Sequence, residues 1–95
     1  MAAFFSPDGV YAASVGPEPG ERAVGHDAIC ALVARMFAVD DGARMTLLDR
    51  VETETGAFWS WKYDLPDGTV ELGCDHIMVS NGKITLKDAY RKVLG

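Results

Sequence analysis

Asp75 stands in the run Cys74-Asp75-His76-Ile77, in the middle of a strand-like stretch where a carboxylate needs a partner or a purpose. It is the chain's candidate acid/base, or the candidate donor to an oxyanion. Side chains alternate along a strand, so Ile77 and Val79 share its face and can supply an apolar surround. A carboxyl in such a surround titrates high and can donate a hydrogen bond, whereas one beside cations stays charged. The same alternation sends the adjacent His76 to the opposite face with Cys74 and Met78, so the two do not form a dyad, and His76 reads as interface or core. His26 stands at a helix start and reads as a capping or surface residue. Two histidines without HxH or HExxH spacing define no metal site, and no cofactor is implied. Ser14 lacks a nucleophile-elbow context. Cys30 and Cys74 lie far apart without a CxxC pattern and read as free, buried thiols in a reducing cytosol.

The elements that position these residues follow from turns and periodicity. Asp67-Gly68 and Asn81-Gly82 accept the positive φ of tight hairpins, and Thr55-Gly56 is a weaker third turn. They divide residues after Arg44 into a four-stranded antiparallel meander. Ile29, Leu32, Val33, Met36 and Phe37 fall on one stripe of an amphipathic helix over His26–Phe37. Asp27 suits its first turn and Arg35 its last, and Asp40-Asp41-Gly42 ends it. Gly16-Pro17-Glu18-Pro19-Gly20 is a loop, Val10–Val15 a short strand, and Arg22-Ala23-Val24 a second one. A helix with one apolar stripe needs a sheet, and the curved meander supplies one. The expected class is α+β: a strongly curved, cone-like antiparallel sheet packed on one main helix.

Ninety-five residues make a single domain, 1–95, and 48% apolar residues are enough for a core. A formal charge of −5 argues against nucleic-acid and anionic-membrane partners. No apolar run approaches the ~20 residues of a membrane-spanning helix, and the N-terminus lacks a secretory signal pattern. The expected location is cytoplasmic.

Phe5-x-x-Asp8-Gly9-Val10-Tyr11, then Gly25-x-x-Ala28-Ile29, then Asp75-His76-Ile77-x-Val79-x-x-Gly82-Lys83-Ile84 resemble, in this order, the nuclear transport factor 2 and ketosteroid isomerase superfamily, SnoaL-like proteins included. The resemblance implies a bent sheet wrapped around helices, a pocket inside the cone, and frequent homodimers. It also implies N-terminal helices that close the cone; here the matching region begins where those helices end. Asp75 matches the oxyanion-binding aspartate of the isomerases. The matching general-base position holds Ala13 or Ser14, and the oxyanion tyrosine belongs to the absent helix, which argues against steroid isomerisation. By the same resemblance Lys87 and Arg91 face the pocket.

Trp59, Trp61 and Tyr63 line one face of their strand, and apolar residues occupy both faces of the next. A sheet that is apolar on both sides is covered on both sides. The expected cover of the second face is another copy of the chain, through Trp59, Trp61, Tyr63, His76 and Met78. An aromatic pocket for a flat hydrophobic ligand is the alternative, because the strand register is open. The pocket is assigned Asp75, Ile77, Phe58, Lys87 and Arg91. Two functions are expected: a homodimer binding a small apolar or anionic ligand inside the cone, or an isomerase, cyclase or dehydratase that uses Asp75.

Overall fold

The computed structural model describes residues 2–17, 20–39 and 42–92. After a short 3-10 turn at Ala2–Phe4 come β1 (Phe5–Ala12), β2 (Arg22–Val24), α1 (His26–Val39), β3 (Arg44–Thr53), β4 (Gly56–Asp64), β5 (Val70–Ser80) and β6 (Lys83–Arg91). The strands form one six-stranded sheet in the order β2-β1-β6-β5-β4-β3, curled but unclosed, and the class is α+β. The C-terminal four strands are the expected antiparallel meander. The sheet as a whole is mixed, because β1 joins β6 in parallel. β1 begins at Phe5 rather than Val10; an irregularity between Phe5 and Val10 accommodates Pro7, which has no N–H to give to a ladder.

Two of the three predicted turns sit where expected. Asn81 and Gly82 both take positive φ (52° and 76°), the geometry of a two-residue hairpin that joins Ser80 to Lys83. At Asp67 the loop is longer, five residues between the paired Asp64 and Val70, and the Asp67 carboxylate accepts from both the Thr69 amide and its hydroxyl. The third turn is Glu54-Thr55, one residue earlier than expected, with Gly56 already in the strand.

The helix begins behind Gly25, and His26 donates from Nε2 to the Phe5 carbonyl oxygen at 2.9 Å, tying α1 to the start of β1. Asp27 lies in the first turn as expected. Arg35 falls short of the last turn and pairs with Glu21 at 2.6 Å instead. Asp40 and Asp41, expected to end the helix, and Glu18-Pro19 of the predicted loop lie outside the described residues.

The apolar stripe of α1 does not cover the meander. It packs on β1 and β2, where Ile29 and Leu32 close a core with Phe5, Tyr11, Ala13 and Ala23, joined by Val33, Met36 and Ile84. At the opposite end β3 is exposed along its whole length. Among the described residues no helix is long and apolar enough to cross a membrane.

Candidate functional site

Paired residues on neighbouring strands share a face, so the registers assign each side of the sheet. One row crosses five strands: Ala23 on β2, Tyr11 on β1, Lys87 on β6, Ile77 on β5 and Ala57 on β4. Tyr11 and Ala23 belong to the core that α1 covers, so this is the inner face. The next row holds Ala89, Asp75, Trp59 and Arg50; the one after it holds Arg91, Gly73, Trp61 and Leu47. Asp75 and Ile77 therefore stand together on the inner face, as expected, and both are buried.

Asp75 is 5% exposed, the only buried charged residue among those described. It is held on one oxygen: Trp59 Nε1 donates to Oδ2 at 2.8 Å, and the Lys87 ammonium stands 3.9 Å from the same atom. No hydrogen bond reaches Oδ1 among the described residues. Lys87 lies over the Tyr11 ring, with Nζ 4.9 Å from its centroid. Burial pushes the Lys87 amine below the usual lysine range, and the charge of Asp75 offsets part of that. Burial also pushes the Tyr11 phenol up to about 12, reinforced by the charges of Asp75 and Tyr63.

The aromatic stripe is on this face too, which corrects the expectation for it. Trp59 pairs with Asp75, Trp61 with Gly73 and Tyr63 with Glu71, so the stripe extends the Asp75 site rather than the far side of the sheet. Trp61 meets Tyr63 edge-on at 5.1 Å, and its ring fills the space where a Cβ on Gly73 would sit, so only glycine fits there. Phe58, assigned to the pocket, lies on the outer face. It pairs with His76 and stacks on it at 4.5 Å, near Val51 and Met78. The five residues assigned to one interface thus divide between two faces: Trp59, Trp61 and Tyr63 inside, His76 and Met78 outside.

Arg91 does not reach Asp75. It bonds Glu71 at 3.2 Å near the end of β6, so Lys87 alone supplies the expected cation. Cys30 and Cys74 are free, but Cys30 is exposed and Cys74 half-buried, which corrects the expectation of two buried thiols. Two hollows lie elsewhere on the described surface. One of about 280 Å³ is lined by Ala13, Ser14, Arg22 and Asp88, and one of about 370 Å³ by Leu48, Leu72, Cys74 and Tyr90; Asp75 and Lys87 line neither. Trp59 and Tyr11 are the site residues that sequence reasoning did not connect to Asp75.

Among the described residues the arrangement is a carboxylate bonded on one oxygen, beside a half-buried amine and an aromatic wall. Residues 1–87 match the family of SnoaL-like domains, and the chain belongs to that family. A comparison with curated proteins gives no match. Among solved structures, a nuclear transport factor 2-like protein of unknown function from Mesorhizobium loti is similar at 26% identity, over 97% of this chain and 75% of its own, with a TM-score of 0.78. A Catenulispora acidiphila protein with a ketosteroid isomerase-like fold, in complex with trimethylamine, is 17% identical over 94% of this chain and 70% of its own, TM-score 0.79. TerC, co-crystallised with polyporic acid, is 18% identical over 95% of this chain and 75% of its own, TM-score 0.75. At those last two identities the likeness is one of fold.

Proposed function

We propose that this chain binds a small apolar or anionic ligand on the inner face of the sheet, its polar group at Asp75 and Lys87 and its body against Trp59, Trp61 and Tyr63. The observation that carries the reading is the buried Asp75, anchored through Oδ2 by Trp59 and Lys87, with Oδ1 unbonded among the described residues. Holding a buried charge costs stability unless it is paired, and a carboxylate that keeps one oxygen free is suited to accept from a ligand. Family membership supports a ligand-binding or isomerase-type role, and the bound molecules of TerC and of the Catenulispora protein accord with small-molecule occupancy of this fold. Titration with benzyl alcohol, followed by NMR, tests it. The Trp59 indole and Ile77 methyl signals shift, and the Asp75→Asn variant loses the effect. Shifts confined to Phe58 and His76 would overturn the reading.

A second reading keeps the same site and adds chemistry: an isomerase, cyclase or dehydratase in which Oδ1 of Asp75 moves a proton. That oxygen, unbonded among the described residues, favours it, and turnover distinguishes it from binding alone.

The outer face carries the proposed homodimer contact. Val51, Phe58 and Met78 are exposed there beside His76, and a two-fold axis through such a patch is the commonest closed assembly. Sedimentation at micromolar concentration should give twice the chain mass. Phe58→Glu should give a folded monomer, because burying a charge in an apolar contact costs roughly several kcal/mol. Trp61, buried on the inner face, is not the residue for that test. A wild-type monomer would sink the dimer and leave the ligand site standing.

A further inference from the structure

Lys87 is the one amine of the site, and the binding reading uses only its charge. Its side chain comes from the middle of β6, between Tyr11 on β1 and Ile77 on β5. Among the described residues its ammonium makes no hydrogen bond; its partners are the Tyr11 ring face and the Asp75 carboxylate at 3.9 Å, longer than a hydrogen bond. Its side chain keeps 16% of its surface accessible against 7% for Asp75, so the lysine is the more exposed of the pair. A lysine in an apolar setting with a carboxylate beside it has what covalent carbonyl chemistry needs: a weakly solvated amine and a proton relay.

We propose that Lys87 captures a small aldehyde or ketone as an imine, with Asp75 relaying the protons. The inference rests on the reading that the inner face at Asp75 takes a small ligand. Asp75 accepts one proton from the Lys87 ammonium. The freed amine lone pair attacks the carbonyl carbon, the C=O π bond breaks, and proton transfer from nitrogen to oxygen gives a carbinolamine. Asp75 then returns its proton to the hydroxyl, the C–O bond breaks and water leaves. The product is a protonated C=N bond on Nζ beside a carboxylate again, with no oxidant or reductant consumed. Trp59, bonded to Oδ2, holds the carboxylate in place through both transfers. Burial supports the step by lowering the amine's pKa, which raises its neutral fraction near neutral pH.

The chain has only three other lysines, Lys62, Lys83 and Lys92, which serve as internal standards. Lys62, half-exposed, pairs with Asp64, and the exposed Lys83 donates to the Ala3 carbonyl. The test is incubation of the wild-type protein with benzaldehyde and cyanoborohydride at pH 6.5, followed by peptide mapping. Lys87 gains a benzyl group several-fold faster than each of the other three, and Asp75→Asn removes that advantage. If Lys87 reacts no faster than Lys62 and Lys83 while benzyl alcohol still shifts the Trp59 indole signal, the imine is wrong and the ligand site remains. If Lys87 gains nothing and benzyl alcohol shifts nothing, both fall together.

Discussion

The two ends of the sheet are built to different standards. At the β2–β1 end, α1 seals the inner face: Ile29 is 0% exposed and Leu32 3%, against Phe5, Tyr11 and Ala23. At the β3 end the same face continues through Met45 and Leu47, 52% and 51% exposed, with no helix over them among the described residues. Asp75 and Lys87 stand at the boundary. They are close enough to the covered half to be desolvated and close enough to the uncovered half to be reached. The lesson is that burial here is graded along one sheet face, and the reactive pair sits where the gradient is steep.

The largest test of that contrast removes apolar volume at each end. Ile29→Ala should cost about 4 kcal/mol, because the fully enclosed site leaves a cavity. Leu47→Ala should cost under about 1 kcal/mol, since little is lost when a half-exposed side chain shrinks. Urea denaturation compares them; equal losses would mean that the β3 end is covered in solution. Next comes the boundary. Asp75→Ala leaves a half-buried ammonium and an indole N–H without their partner, and should cost about 3 kcal/mol by the same measurement.

A pH series sharpens the covered side. The Tyr11 phenol titrates at about 12 when folded and at 10.0 when free. Between those values the folded state holds the proton that the unfolded state has released. Stability contributed by Tyr11 is therefore complete below pH 10 and falls as pH rises toward 12, by about 2–3 kcal/mol. Lys87 acts in the opposite sense: its folded pKa is lowered, so stability rises with pH between that value and 10.5. Tyr11→Phe should remove the loss above pH 10; an unchanged slope would mean that the phenol is not sealed. A milder change at the boundary is Trp59→Phe, which deletes one hydrogen bond to a charged acceptor for about 1–2 kcal/mol.

Much of this architecture was readable from residue patterns. The stripe from Ile29 to Met36 specified the helix, Asn81-Gly82 specified a hairpin, and the alternation around Asp75 placed Ile77 beside it and His76 on the other side. The face of the aromatic stripe was not readable, for a reason of parity. A two-residue loop at Asp67-Gly68 would pair Pro66 with Thr69 and set Trp59 against His76. The five-residue loop pairs Asp64 with Val70 and sets Trp59 against Asp75. One residue of register moves a whole strand's side chains to the other face. Since both faces are apolar, hydrophobic pattern could not choose between the two. The helix partner was misplaced for a related reason: the stripe on α1 says that it needs a sheet, not which end.

The central claim is that Asp75, Trp59 and Lys87 form one inner-face unit. With two tryptophans the protein shows two indole N–H signals, assignable through Trp61→Phe. The account predicts that Asp75→Asn, with the fold intact, moves the Trp59 signal and leaves that of Trp61 in place. A Trp59 signal that stays unmoved would contradict it.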